Sequence, residues 1–378
     1  MVNKEDKNTM KRAVVIVLAL LLVLSAGLVF AGGKKETVSE QELAEASKVG
    51  VAAGVQYPLF EEYKAAAQKE QAYPGAPLRG KVVGFANIYG TIPFCIDVEN
   101  SIKKHIELAG GSLSTGWISM DNQYDSVIGL KNADIMLSRK PDFFIEFQSD
   151  SKVNAIVAAK FGAAGIPLLA IDVPIPGAPF MGVNNWGVAL TGGRYMAKLI
   201  RERWGGWDAV DMVVLGQMPV GGEVLMLRSE GFAQALSEEF GIDVNDPKIV
   251  RFDGGMGQAE QAKAGMDDVL AAHPRARRIA VTSINEQTMS GIIAAIQGAG
   301  RWNKQDIIVV TLGMDDLGKS QIRENLSDGG VAFFPERYGE YVIPAVAAVL
   351  QGGAVPPWIY VENEVITKDN IDKWYPKK

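Results

Sequence analysis

The 378-residue sequence contains one cysteine, Cys95, and two histidines, His105 and His273. An internal disulfide is therefore impossible, and the common zinc sites built from Cys and His lack ligands. A carboxylate metal site stays open, with nothing in the spacing to support it. Positive charge is also short. Against 44 Asp and Glu stand 38 Lys and Arg, a formal charge of −6 with no basic block, so the electrostatic footprint of a nucleic-acid binder is missing. There is no Ser-centred GxSxG turn. The stretch GGMGQAE at 254–260 lacks the third glycine of a dinucleotide fingerprint and lies too late in the chain. Neither a catalytic residue, a cofactor nor a metal is implied. With 48% apolar and 22% charged residues the composition is that of a globular protein, and the length suits two domains that each bury a core.

The N-terminus reads as an export signal. Lys11 and Arg12 precede an unbroken apolar run over 13–24 that continues to Ala31, where Val29 and Ala31 occupy the small-residue positions of a signal peptidase site. Cleavage after Ala31 is expected. The alternative is an uncleaved anchor, because the 13–31 stretch is about long enough to span a bilayer. Lys4, Lys7, Lys11 and Arg12 against Glu5 and Asp6 give this segment a net +2, so the remainder carries −8. The expectation is a soluble, acidic, exported protein, outside the cytoplasm, where ATP and NAD are scarce and small solutes are the natural partners.

Residues 32–79 read as a tether and a packing helix over 60–71, closed by the Pro74-Gly75 turn. Beyond them, short β-branched runs alternate with amphipathic stretches, the pattern of parallel strands joined by helical crossovers. Strands are expected at 81–86, 112–118, 143–147, 167–171, 211–215, 248–252, 278–282, 307–312 and 331–334, with helices between them. Asp121 and Asp316 are the expected N-caps, and Gly110, Gly165, Gly241 and Gly300 the expected left-handed helix ends. The fold class is α/β with two doubly wound parallel-sheet lobes, the composition break falling at 201–210. In such sheets ligands bind outside the carboxyl ends of the strands. That rule singles out Asn87, Phe94, Asp121, Gln148, Asp172, Asn285 and Asp315.

One motif points elsewhere. GMDDLGKS at 313–320 has the spacing of a phosphate-binding loop and follows a good strand. Such a loop wraps phosphates in backbone N–H groups, and Asp315 and Asp316 would set two negative charges against them. A nucleotide-binding enzyme is nevertheless the alternative function on this evidence.

Several segments together carry a family resemblance: VVGFANIYGTIPFCIDVENSIKKHIELAGG (82–111), AGIPLLAID (164–172), VNNWGVALTGGRYMAKLI (183–200), LRSEGFAQAL (227–236), VLAAHPRARRIAVTSINE (269–286) and GGAVPP with VITKDNID (352–372). In order and spacing, over roughly residues 80–372, they resemble the type I periplasmic sugar-binding proteins of ABC importers, the ribose- and galactose-binding group. The resemblance implies two lobes, 80–184 with 334–354 and 185–333 with 355–378, joined by three hinge crossings near 183–185, 333–335 and 354–356 and closing on a sugar. It implies delivery to an ABC-type membrane permease, with a ligand sensor feeding a chemoreceptor or sensor kinase as a variant. Lactose-repressor-type regulators share the core but begin with a helix-turn-helix, where this chain has its export segment.

By the same resemblance Asp172 accepts sugar hydroxyl protons, Arg228 in LRSEGF donates to hydroxyls, Asn285 and Asp315 supply further cleft contacts, and Phe94 stacks on the sugar face. Phe333 stands where ribose-type members have a glutamine, Val173 where they have an arginine, Ile92 where they have an asparagine, and Glu286 replaces the Asp of the usual Asn-Asp pair. Three polar contacts are traded for apolar bulk, so the expected ligand is not ribose itself. Each residue also has a plainer role. Asp172, Asn285 and Asp315 are placed to cap loops or helices, Phe85, Trp117 and Trp186 read as core, His105 after two lysines reads as surface, and Cys95 as a small buried apolar residue.

Overall fold

In the computed structural model, residues 39–49 and 55–377 are described. They form two compact units: Met1–Gly182 with Glu336–Tyr360, and Val183–Pro335 with Val361–Lys378. The export segment expected at 1–31 lies outside the described residues. Among those described, no helix is long and apolar enough to cross a membrane.

Unit one is a six-stranded sheet in the order β11-β5-β4-β3-β1-β2. Its strands are β1 (Val83–Asn87), β2 (Trp117–Asp121), β3 (Phe143–Glu146), β4 (Leu168–Ile171), β5 (Phe180–Gly182) and β11 (Trp358–Tyr360). Every pairing is parallel. The central strands are buried along their whole length, as expected when helices cover both faces of a parallel sheet. One face packs Ala86 and Phe144 against Ala133 and Met136 of the helix Ser126–Arg139 and Val153, Val157 and Phe161 of the helix Ser151–Ala164.

Unit two repeats the plan in the order β12-β10-β9-β8-β6-β7. Here β6 is Met212–Gln217, β7 Ile249–Asp253, β8 Ile279–Ser283, β9 Ile307–Gly313, β10 Gly329–Ala332 and β12 Glu364–Thr367. All pairs are parallel except β10 with β12. Val214, Val281, Ile307 and Val309 face Met266, Met289, Ile292 and Ile296 from the two helices Ala259–Ala272 and Glu286–Gly298.

All nine expected strands have a counterpart, most within two or three residues at their ends, but the one expected at 112–118 starts five residues later, at Trp117, and runs to Asp121. Gly110, Gly165, Gly241 and Gly300 all take positive φ, 66° to 80°, at helix ends. The third chain crossing falls at Tyr360/Val361 rather than 354/355, because β11 pairs with β5 and stays in unit one. The tether holds a helix of its own, Glu40–Val49, with Leu43, Ala44, Ala46 and Ser47 buried. Asp121 is no cap. It ends β2, and Asp125 caps the following helix, accepting at 2.8 Å from the N–H groups of Val127 and Ile128.

His105 is a further correction. It is 2% exposed, its Nδ1 lies 3.2 Å from the Tyr73 hydroxyl, and burial, then the Lys104 charge, push its pKa down to about 4. The lysines at 103 and 104 belong to the wet face of the helix Pro93–Leu108, whereas 105 continues the buried row of Cys95, Val98 and Ile102.

Candidate functional site

In each unit the residues of interest sit where the strands end, and there the backbone itself is unusual. Among the described residues other than glycine, Gln123, Tyr124, Asp172, Met314 and Phe334 adopt positive φ of 52° to 74°, each within three residues of a strand end. L-residues visit this region sparingly, and such conformations gather at binding sites, where the surroundings over-determine them.

In unit one, Asp172 follows β4 at φ 57°. Its N–H donates to the Met181 carbonyl at 3.0 Å, and the Tyr338 hydroxyl donates to its carboxylate, 3.0 Å from one oxygen and 3.3 Å from the other. Gly182 leaves room for this. A Cβ there would stand 2.4 Å from Asp172 Oδ1. The ring of Tyr338 meets Phe94 edge-on, with centroids 5.6 Å apart and planes at 87°. Phe94 is the second residue of the helix Pro93–Leu108 and stays half-buried. Phe94 and Asp172, the two residues of this unit to which the resemblance gave a ligand role, are thus brought together through a third, Tyr338, which the sequence did not single out. Tyr338 lies 166 residues from Asp172, and no local pattern marks the pairing.

In unit two the centre is Arg228, on the helix Gly222–Phe240 and only 7% exposed. Its Nε–H donates to Asn185 Oδ1 at 2.6 Å, its Nη1 to the Ile284 carbonyl at 2.9 Å, and its Cζ lies 5.0 Å from the centre of the Phe333 ring. A planar guanidinium suits this seat, because it stacks on an aromatic face while its edge donates. Phe333 itself is buried, and its N–H donates to the Gly313 carbonyl at 2.8 Å.

Asn285, next to Ile284, caps the helix Glu286–Gly298. Its Oδ1 accepts from Thr288 N–H at 2.8 Å and its Nδ2 donates to the Gly257 carbonyl at 3.0 Å. Asp315 is fully buried and caps the helix Asp316–Arg323, accepting from the N–H groups of Leu317 and Gly318 at 2.9 and 3.1 Å and from Gln287 Nε2 at 2.9 Å. The cap is thus Asp315 and not Asp316. The hydrogen bonds through Ile284, Gly313 and Gln287 make Arg228, Phe333, Asn285 and Asp315 neighbours.

The phosphate-loop reading of 313–320 is overturned by the same geometry. Glu286 accepts from the Met314 N–H and Asp315 from those of Leu317 and Gly318, so carboxylates already occupy the donors a phosphate would need. Burial, and then the Asp315 charge, raise the Glu286 carboxyl well above the usual range. Lys319 reaches Asp316 at 3.2 Å and the Tyr375 ring at 4.5 Å. Among the described residues no group of three or more His, Cys, Asp or Glu is placed to hold a metal ion.

Comparison with known proteins agrees with this geometry. Residues 83–354 match the family described as periplasmic binding protein domain. No curated protein sequence matches the chain. Many solved structures share its fold, and three serve as examples. One is an ABC transporter solute-binding protein from Bacillus halodurans C-125 with bound myo-inositol, 18% identical, covering 79% of this chain and 98% of its own, TM-score 0.64. Another is an ABC transporter periplasmic solute-binding protein from Actinobacillus succinogenes 130z with bound D-allose, 16% identical, covering 78% and 99%, TM-score 0.63. The third is the periplasmic binding protein component of the arabinose ABC transporter from Shewanella sp. ANA-3 with α- and β-L-arabinofuranose, 18% identical, covering 78% and 94%, TM-score 0.63. With two parallel-sheet units, strand ends carrying the polar and aromatic groups, and a family match over most of its length, the chain belongs to the periplasmic binding protein domain family, binding proteins rather than enzymes.

Proposed function

We propose that the protein captures a sugar or a closely related polyol outside the cytoplasm and hands it to the membrane permease of an ABC importer. The observation that carries this reading is the Arg228 guanidinium. It is buried and laid on an aromatic ring, with two of its five N–H groups anchored and the other three without a protein partner among the described residues. A cation so placed is a donor set, and among the described residues no carboxylate of its own unit pairs with it. Sugar hydroxyls supply acceptors without adding charge. Within unit one Asp172 offers an acceptor and Phe94 an apolar face for ring carbons, and within unit two Asn285, Asp315 and Phe333 lie beside Arg228.

The family match and the sugars and polyol named for the three solved structures support the ligand class. Val173 and Ile92, both buried, stand where ribose-type members carry polar groups, so the ligand is less polar than ribose or shaped differently. Export proceeds through the 1–31 segment with cleavage after Ala31, and the mature protein acts as a monomer.

Thermal-shift screening of the purified protein against sugars, polyols, nucleosides and amino acids tests the reading. A ligand that binds only the folded state raises the melting temperature by mass action, by about 2.7 kcal/mol of stability at a hundredfold excess over Kd. A rise with a sugar or polyol is expected. A rise confined to nucleosides or amino acids would overturn the reading.

A further inference from the structure

Asn185 opens the helix Asn185–Trp204, and its side chain does nothing for that helix. The cap is Asn184, whose Oδ1 accepts from the Gly187 N–H at 2.9 Å. Asn185 instead turns its Oδ1 to Arg228 Nε at 2.6 Å, 43 residues away in sequence, and the contact is buried. Its Nδ2, equally buried, has no hydrogen-bond partner among the described residues. A buried amide N–H left unpaired is unfavourable, and an apolar residue of similar size would avoid that penalty. The one service this side chain performs is to accept from the guanidinium.

We propose that Asn185 is a positioning residue for Arg228. It fixes the Nε edge so that the planar head stays over the Phe333 ring and its remaining N–H groups keep one direction. Nε and Nη1 are tied to two different elements, the helix start at Asn185 and the carbonyl of Ile284 after β8, so the fork has two anchors and no freedom to rotate about its last torsion. Ile284 contributes a backbone carbonyl that no substitution removes. Asn185 is therefore the anchor that the side-chain sequence controls. An amide in this place holds the guanidinium without cancelling its charge, which a carboxylate would do. The inference rests on Arg228 serving the ligand as proposed above, although its first test needs no ligand.

The purified protein, labelled with 15N-arginine, gives a side-chain Nε–H resonance for Arg228, assigned by its disappearance in Arg228→Lys. In the wild type this proton is expected to exchange slowly with water. Asn185→Ala should speed exchange by about tenfold or more, the factor one lost charge-assisted hydrogen bond carries. Asn185→Asp, which keeps the acceptor, should restore protection. Ala is a good helix residue and Asn184 remains as cap, so the fold is retained, as the other arginine resonances will show. In the same proteins, titration with myo-inositol, D-allose and L-arabinose should show Asn185→Ala weakening whichever probe binds the wild type. Unchanged Arg228 exchange in Asn185→Ala would overturn the proposal. Binding of none of the three probes by the wild type would count against the sugar reading, while the exchange data still decide the role of Asn185.

Discussion

Asp172 is held at positive φ with its carboxylate on the Tyr338 hydroxyl, and asparagine is the residue that tolerates such a backbone best after glycine. Asp172→Asn therefore separates binding from folding. It keeps the shape and the Tyr338 hydrogen bond but removes the charged acceptor. Ligand affinity should fall by about tenfold or more while the melting temperature stays close to wild type. Calorimetric titration with the ligand found by thermal shift checks this, and an unchanged Kd would remove Asp172 from the site. Glu146 allows a prediction about pH. It is wholly buried, accepts one hydrogen bond at 2.9 Å from Asn122 Nδ2, and has no partner for its second oxygen among the described residues, so burial pushes its pKa from 4.5 up to about 8. A raised folded-state pKa means the folded protein holds the proton longer than the unfolded chain. Its contribution is intact below pH 4.5, and stability drains away as pH rises from there to about 8. Glu146→Gln should remove that loss, gaining about 3 kcal/mol over wild type at pH 7 and nothing at pH 4. Urea unfolding at the two pH values gives the comparison, and an equal difference at both would refute it. His105 runs the other way. Its lowered pKa withholds a proton that the unfolded chain accepts, so stability is lost as pH falls from 6.5 toward 4.

Helix starts show what an element requires of its sequence. In the loop after β9 two aspartates stand side by side, and one residue of register separates a buried cap from a side chain in solvent. Asp315→Ala removes acceptors for three donors and should destabilise the protein by about 1–3 kcal/mol, whereas Asp316→Ala, which gives up only an exposed pair with Lys319, should stay within about 0.5 kcal/mol. Denaturant melts of the two single variants decide the matter, and similar losses would show that both share the cap. The adjacent aspartates were legible as a helix start, but composition says nothing about which of them turns inward. Nine of the twelve strands were legible because runs rich in apolar and β-branched residues stand out between helical stretches. β5, β11 and β12 were not: β5 and β11 are three residues long, and β12, at four residues no shorter than β3, β4 or β10, has only one fully buried residue to mark it. Runs so short have no period to detect, and they exist because partners far along the chain pair with them, Phe180 with Trp358 and Gly329 with Thr367. The site divides the same way. Phe94, Asp172, Arg228 and Phe333 stood out through motif order, whereas Tyr338 and Asn185 matter only through contacts made across 166 and 43 residues.

At the scale of the whole chain, each unit is assembled from separate stretches of sequence, and the last stretch of unit two is the smallest. Residues beyond Tyr360 return to unit two as β12, antiparallel to β10, and as the short helix Ile371–Trp374. They bury Ile366 and Ile371 against Met314, Ile322, Ala332 and Phe334, with Trp374 and Tyr375 on the Phe334 ring at 5.4 and 6.2 Å. Arg323 ties in Asp372 at 3.2 Å. A protein ending at Tyr360 would keep all of unit one and all five parallel strands of unit two, yet would uncover this cluster and leave the β10 edge unpaired. Burial of two isoleucine side chains and part of an aromatic ring is worth about 4–6 kcal/mol, a large share of what a domain has to spare. Met314 and Phe334, two of the left-handed residues at the strand ends, lie in that cluster, so their backbone conformation depends on it. The truncated protein should therefore show a low-temperature unfolding step in scanning calorimetry that the full chain lacks, and ligand binding should be lost before that step is reached. A single transition at the wild-type temperature would mean that the C-terminal stretch decorates unit two without supporting it.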